Sequence, residues 1–170
     1  TITFATKLLT REGYTVAALY APHILTYNER IAFGDEIVSN KVFTELGNEI
    51  LNTAETLGIE LHSSELLFFM SLAHARMQHA DVVLIETMYN DALDPAALCN
   101  ARIVTITRIT GEEAGETDHV PEETVAAFLS IVRQGTHIVS GDQSKTTLAR
   151  MRTETEKRGG VWEMPIRKLA

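Results

Sequence analysis

A single carboxylate follows a short apolar run in the middle of the chain. Residues 82–85 are Val-Val-Leu-Ile, and Glu86 comes directly after them. Branched apolar residues without polar alternation are typical of a strand covered on both faces in a parallel sheet. Ligands of such sheets bind outside the carboxyl ends of the strands, which would place Glu86 beside a cation or phosphate. Alternatively, Glu86 only meets solvent or a neighbouring lysine, and a single carboxylate after a strand, taken alone, favours this second interpretation.

A second polar group follows an earlier apolar run. Residues 15–20 read as a buried strand, and Pro22 breaks it because proline has no N–H to give to a sheet. His23 comes next, and residues 28–30 form the compact polar cluster Asn-Glu-Arg. Ordinary explanations stand beside the functional one. His23 can anchor the turn after Pro22, and Arg30 can pair with a surface acid.

The elements that must position these side chains alternate along the chain. Apolar periodicity and end signals predict helices over residues 1–10, 41–57, 63–77, 121–132 and 144–158. Short apolar runs predict strands over residues 15–20, 31–33, 37–38, 81–86, 101–107, 137–140 and 161–164. This alternation favours an α/β fold, a three-layer sandwich with a mostly parallel sheet flanked by helices. The expected boundaries are those of one domain, residues 1–170.

Composition narrows the class of protein. The 170 residues are 45% apolar with a net charge of −8, which argues against a nucleic-acid partner because that needs a basic surface. Cys99 is the only cysteine, so no internal disulfide forms and a reducing, cytoplasmic location is expected. No apolar run reaches the roughly 18 residues of a membrane span. The chain starts without Met inside a helical pattern, so we expect a fragment.

Two stretches with fixed spacing carry a family resemblance. Residues 20–24 (Tyr-Ala-Pro-His-Ile) and 27–31 (Tyr-Asn-Glu-Arg-Ile) resemble the folylpolyglutamate synthase and dihydrofolate synthase family of the Mur ligase superfamily. Its members carry Tyr-x-Ser-Pro-His-Leu followed by Asn-Glu-Arg-Ile. Residues 81–86 are similar to the family's Asp-Val-x-Val-x-Glu strand, and residues 93–94 and 141–143 follow in family order.

The resemblance implies an ATP-dependent ligase that adds glutamate to folates through an acyl phosphate. It implies a Mur ligase central-domain fold of the P-loop NTPase type, with ATP and Mg²⁺ as cofactors. The small-molecule partners implied are ATP, folate and glutamate. The residues implied at the site are Pro22, His23, Asn28, Arg30 and Asp94 for substrate and Glu86 for metal. No catalytic residue is assigned.

Several positions depart from the family pattern. Ala21 replaces a serine implied as a Mg²⁺ contact, and Phe128 aligns with a lysine implied, once carbamylated, as a metal ligand. Residues 87–90 lack the family's glycines, and residues 109–113 lack its histidine. The nucleotide loop would precede residue 1. We therefore expect this chain alone to be inactive, and the alternative is a degenerate family member that serves as a binding or scaffold domain.

Overall fold

Two compact units make up the chain. The structure, a computed structural model, describes residues 1–87, 94–109 and 120–163. The first unit spans Thr1–Met88 and the second Tyr89–Ala170. Whether they form the single domain expected from the sequence stays a prediction.

The first unit contains a four-stranded sheet and three helices. Its elements are α1 (Ile2–Arg11), β1 (Val16–Leu19), a 3-10 helix (Tyr27–Arg30), β2 (Ile31–Phe33), β3 (Glu36–Ile37), α2 (Asn40–Leu57), α3 (Ser63–Met77) and β4 (Val82–Ile85). The strand order is β3-β2-β1-β4. The pair β1–β4 is parallel, and β2 runs antiparallel to both β1 and β3.

The most deeply buried strand of this sheet is β1. Its four residues are 1–6% exposed, and α1 and α3 pack against it. The prediction that residues 82–85 are covered on both faces is wrong, because β4 is only partly buried and Val83 is 39% exposed. In the described chain β4 is the last strand of its sheet, whereas β1 has a neighbour on either side.

Local hydrogen bonds fix the ends of the two long helices. Ser39 Oγ accepts from the Val42 N–H at the start of α2, and Gly58 ends it with φ +65°, a left-handed conformation that favours glycine. At α3 the Glu65 carboxylate accepts from the His62 N–H at 2.7 Å, so His62 is the cap residue. His74 of α3 is buried, because α3 packs on α2, β1 and β2.

The second unit contains a three-stranded parallel sheet. Its elements are a 3-10 helix (Pro95–Leu98), β5 (Ile103–Ile106), α4 (Glu122–Phe128), β6 (His137–Ser140), α5 (Lys145–Lys157) and β7 (Val161–Glu163). The strand order is β5-β6-β7. The helix expected over residues 121–132 ends earlier, and the carbonyls of Ser130 and Val132 accept from the Arg133 guanidinium instead.

Each unit has its own apolar core. The first core is formed by Ile31, Val38, Leu46, Leu67 and Met70. The second is centred on the fully buried Leu129, Ile138 and Met151. On the opposite face of the second sheet, Ile103 is 66% and Val161 42% exposed. Three of the five strand pairs in the described residues are parallel, which confirms the predicted α/β class with a mostly parallel strand arrangement.

Candidate functional site

The carboxyl ends of β1 and β4 bring the two predicted polar groups together. The strands are parallel and in register from Val16–Val82 to Leu19–Ile85, so they end at the same edge of the sheet. The Glu86 N–H donates to the Leu19 carbonyl at 2.9 Å, which extends the ladder by one bond. The Ala21 N–H then donates to Glu86 Oε2 at 3.1 Å. The Glu86 carboxylate therefore lies against the start of the loop that carries Pro22 and His23.

A second carboxylate fixes the opposite ends of the same two strands. Asp81 Oδ2 accepts from the Thr15 N–H at 2.8 Å and from Thr15 Oγ1 at 2.7 Å. The Asp81 N–H donates back to Thr15 Oγ1 at 2.9 Å. The Thr15 backbone bond first, and then the bond from its side chain, hold the pKa of Asp81 below its ordinary value. The β1–β4 pair is thus tied by a carboxylate at each end.

Glu29 holds the loop that follows His23. Its Oε2 accepts from the Ile24 N–H at 2.8 Å, and its Oε1 accepts from the Leu25 and Thr26 N–H groups at 3.0 and 2.8 Å. These bonds, led by the one from Ile24, lower the pKa of Glu29. The side chains of Ile24 and Leu25 are 89% and 84% exposed. The loop is therefore held by a carboxylate and not by apolar burial.

His23 precedes this loop and contacts the short 3-10 helix that follows it. Its ring packs on Tyr27 with a centroid separation of 4.3 Å and an interplanar angle of 44°. The ring is half-buried, and its Nδ1 atom is buried with no hydrogen-bond partner among the described residues. A buried ring nitrogen without a partner is costly to keep. His23 is therefore the side chain of this edge whose polar capacity is least satisfied within the described fold.

Arg30 and Asn28 have bonds that hold the fold. Arg30 is 6% exposed, and its Nε donates to the Tyr20 carbonyl at 3.1 Å, while the Tyr20 N–H donates to the Arg30 carbonyl at 2.9 Å. Asn28 Nδ2 donates to the Val38 carbonyl and to Asn40 Oδ1, both at 3.0 Å. Arg30 thus joins the 3-10 helix to the end of β1, and Asn28 joins it to the start of α2. Their predicted contacts with substrate stay predictions.

Asp94 lies in the second unit. It is 5% exposed, and its Oδ1 accepts from the Ala96 N–H at 2.8 Å, so it caps the 3-10 helix that begins at Pro95. Its predicted role in substrate binding is likewise untested. Leu93, residues 88–90 and residues 110–113, which the family comparison singled out, lie outside the described residues.

Two further positions of the second unit bear on the sequence comparison. Phe128, aligned with the implied metal-binding lysine, packs against the apolar core of this unit. Gln143, which is 8% exposed, accepts from the Ile109 N–H at 2.9 Å and donates to the Thr107 carbonyl at 2.6 Å. Its side-chain amide therefore fixes the segment that leaves β5.

The described residues do not make up a Mg²⁺ site. A hard cation of this type takes several oxygen ligands in fixed geometry. Glu86 is the one predicted metal ligand, and Ala21 beside it offers no side-chain oxygen. Across residues 1–87, 94–109 and 120–163, no group of three or more His, Cys, Asp or Glu side chains is arranged to hold a metal. In the same residues no helix is long and apolar enough to cross a membrane.

The sequence reasoning missed the anchoring role of Glu29 and of the Asp81–Thr15 pair. A signal for Glu29 was present, because Thr26 is followed three residues later by Glu29, the spacing of a helix capping box. No local signal identifies Thr15 as the partner of Asp81, since the two residues are 66 positions apart.

Comparison with known proteins identifies similar chains. No family model matches. The dihydrofolate synthase/folylpolyglutamate synthase of Bacillus subtilis (strain 168) is 25% identical over 168 residues, which cover 96% of this chain and 39% of that protein. This chain therefore spans about two fifths of the length of the curated relative it matches. The resemblance predicted from residues 20–31 is confirmed by this match.

Solved structures show the same fold. Folylpolyglutamate synthase of Mycobacterium tuberculosis, complexed with ADP, superposes with a TM-score of 0.84 at 17% identity over 95% of this chain and 38% of that one. A bifunctional folylpolyglutamate synthase/dihydrofolate synthase with Mn, AMPPNP and L-glutamate bound gives 0.83 at 18% identity, over 96% and 39%. The Thermotoga maritima folylpolyglutamate synthase gives 0.79 at 19% identity, over 95% and 38%. The predicted Mur ligase-like α/β fold is confirmed.

Proposed function

We propose that this chain, which resembles the folylpolyglutamate synthase and dihydrofolate synthase family in sequence and fold, is the central part of an ATP-dependent ligase that joins glutamate to folates. The observation that carries the proposal is the 3.1 Å hydrogen bond from the Ala21 N–H to Glu86 Oε2. It brings the family's strand-end carboxylate and its Pro-His loop to one edge of the sheet, where α/β proteins bind ligands.

In this proposal the end of β4 and the loop after β1 contribute different groups to the binding site. Glu86 supplies negative charge at the sheet edge, and Pro22 and His23 form the wall beside it. Arg30 is buried and holds the end of β1 through the Tyr20 carbonyl. ATP, a divalent cation and glutamate belong to the proposal because similar proteins were solved with ADP or with Mn, AMPPNP and L-glutamate. Folate belongs to it because the curated relative is a dihydrofolate synthase/folylpolyglutamate synthase, and Mg²⁺ is the cation that the resemblance implies. A cytoplasmic location is proposed because Cys99 is the single cysteine, which suits a reducing compartment.

The test is transfer of radiolabelled glutamate to dihydropteroate or tetrahydrofolate, in the presence of Mg-ATP, by the full-length protein. We expect product from the wild type and a loss of at least about a hundredfold in Glu86→Gln, because the charge at the sheet edge is removed. Glu49→Gln is the matched control, since Glu49 is an exposed glutamate on α2. Equal activity of Glu86→Gln and the wild type would rule out the proposed role of Glu86. Absence of product from the wild type would reject the ligase.

A binding domain without turnover is the second candidate, and two observations favour it. Ala21 lacks the oxygen of the implied serine, and Phe128, which packs against the apolar core, replaces the lysine that the family implies as a metal ligand. This candidate predicts that dihydropteroate or AMPPNP raises the Tm of the full-length protein while no glutamate is transferred. Product formation in the transfer assay excludes it.

A further inference from the structure

The loop that follows His23 carries two apolar side chains that are not buried in the fold. The side chains of Ile24 and Leu25 are 89% and 84% exposed, so they contribute little burial to the first unit. Their backbone N–H groups, together with that of Thr26, all donate to the carboxylate of Glu29. One side chain therefore fixes the conformation of three consecutive residues whose own side chains face solvent.

The fixed loop lies close in the chain to the contact between Ala21 and Glu86. It continues from Ala21, whose N–H is bonded to Glu86, so the exposed pair Ile24 and Leu25 lies only three and four residues beyond that contact. Two exposed apolar side chains on a fixed backbone add little to the stability of the fold, but they offer a surface on which an aromatic ring system can pack. Fixing the loop before binding also avoids the entropic cost of ordering it on contact.

We propose that Glu29 is a positioning residue that holds residues 24–26 in the conformation in which Ile24 and Leu25 contact the aromatic part of the folate acceptor. This inference rests on the proposed function for the identity of the ligand. Glu29 itself does not touch the ligand and acts through the loop.

Substitution by glutamine tests the three bonds selectively. Glu29 Oε2 accepts from Ile24, whereas Oε1 accepts from Leu25 and Thr26. In Glu29→Gln, an NH₂ group on the side that faces Ile24 sets two donors against each other, and the remaining bonds lose their charge. Glu29→Asp keeps the charge but shortens the side chain by one methylene, so it separates geometry from charge. Glu49→Gln is the control for a change of net charge.

The first measurement is amide hydrogen exchange of residues 24–26 in the full-length protein. We expect exchange roughly tenfold or more faster in both Glu29→Gln and Glu29→Asp, with an unchanged rate in Glu49→Gln. The Tm of each variant verifies folding, and Glu29→Asp serves if Glu29→Gln does not fold. Unchanged exchange at residues 24–26 in the folded variants would overturn the inference.

The second measurement is the affinity for dihydropteroate, by calorimetry, in a double-mutant cycle with Leu25→Ala. Leu25→Ala should weaken binding about tenfold in the wild type and much less in Glu29→Gln, because the loop no longer presents that side chain. Independent, additive losses, or a Glu29→Gln affinity equal to that of the wild type, would overturn the inference while leaving the proposed function intact. Failure of the wild type to bind dihydropteroate would instead reject the proposed function together with its ligand assignment.

Discussion

At the scale of single residues, three carboxylates of the first unit accept hydrogen bonds from backbone N–H groups. Asp81 and Glu86 bond to Thr15 and Ala21, and Glu29 bonds to three consecutive N–H groups. In Asp81 and Glu29 these bonds lower the pKa of the carboxyl group and so favour its ionised form. Removing the charge should therefore loosen loops and strand ends before it affects the two apolar cores.

The first prediction concerns Asp81. Its pKa is lowered in the folded protein, so its contribution to stability is fully present above its ordinary value of 3.8 and is lost as the pH falls through the lower folded-state pKa. Asp81→Asn should lower the Tm at pH 7 because the bonds from Thr15 lose their charged acceptor, and the difference should shrink below pH 3.8. Thermal unfolding monitored by circular dichroism over pH 2–7 (a range of about five units) measures this.

Asp35→Asn is the control for the Asp81 experiment. Asp35 is exposed in the turn between β2 and β3, and its carboxylate makes no hydrogen bond among the described residues. A Tm loss in Asp35→Asn as large as that in Asp81→Asn would contradict the assigned role, since it would reflect net charge alone.

The second prediction concerns His74. Burial lowers its pKa below the ordinary 6.5, because a charged imidazole is poorly solvated there, and its Nδ1 has no hydrogen-bond partner in the described structure. The unfolded state therefore takes up a proton at a higher pH than the folded state does. The free energy of unfolding should be constant for this group above pH 6.5 and should decrease as the pH falls from there through the folded-state pKa.

Urea unfolding at several pH values, in the wild type and in His74→Leu, measures this dependence. The decrease below pH 6.5 should be smaller in His74→Leu, which cannot be protonated. His79→Asn is the control, since His79 is exposed and asparagine tolerates its φ of +52°. If His74→Leu kept the full decrease, burial of His74 would not be its cause.

The sequence predicted where polar residues gather at the site but not what they bond to. The rule for strand ends placed Glu86 at the ligand-binding edge, the family resemblance assigned Pro22 and His23 to the same site, and the structure brings the three to one edge. Asn28 was assigned to substrate from a motif, yet its amide bonds to the Val38 carbonyl, a residue ten positions away. A motif records which residues recur and does not distinguish a ligand contact from a bond that holds the loop.

At the scale of elements, close packing between the end of α5 and the last strand gives the third prediction. A Cβ added to Gly160 would lie 2.8 Å from Val132 Cγ1 and 3.1 Å from the Thr136 carbonyl oxygen. Gly160→Ala should therefore cost about 1–3 kcal/mol of unfolding free energy through overpacking. Urea denaturation measures it.

Gly47→Ala is the matched control for this substitution. A Cβ at Gly47 would meet only the Met70 side chain, at 3.7 Å, which is an ordinary contact. Gly47 lies within α2, where alanine is favoured over glycine by about 1 kcal/mol, so this variant should be more stable than the wild type. Equal losses in the two variants would show that packing at Gly160 is not the cause.

Element type was more predictable than element environment. The strands at residues 16–19, 82–85, 103–106 and 137–140 follow from apolar runs, and the parallel pairs β1–β4 and β5–β6 follow from the helices between their strands. The burial of β1 and the partial exposure of β4 did not follow, because two apolar runs of equal length carry no information on which has a neighbour at each side. The early end of α4 depends on Arg133, whose bonds to Ser130 and Val132 lie beyond the helix.

At the scale of the whole chain, two separate cores give the fourth prediction. Leu129 is 0% exposed in the core of the second unit, and Met70 is 1% exposed in that of the first. Truncation of either to alanine should cost about 2–5 kcal/mol. Native-state hydrogen exchange should place the loss from Leu129→Ala at the Ile138 and Met151 amides, and that from Met70→Ala at the Leu46 and Leu67 amides.

An exposed apolar residue of each unit provides the control for these truncations. Leu57 is 65% exposed at the end of α2, and Leu98 is 74% exposed in the 3-10 helix of the second unit. Their alanine variants should change stability by less than about 0.5 kcal/mol. A loss in Leu129→Ala no larger than that in Leu98→Ala would contradict the assignment of Leu129 to a core.

The two carboxylates that bracket the β1–β4 pair have a consequence for register. A slip of one residue would break the Asp81–Thr15 contacts and the Glu86–Ala21 contact together, in addition to turning every strand side chain to the other face. The four residue pairs between β1 and β4 therefore determine where Glu86 lies relative to the turn at Pro22, independently of the helices that pack on the sheet. Sequence changes in the helices that pack on β1 would change the stability of the first unit while leaving the Ala21–Glu86 contact in place.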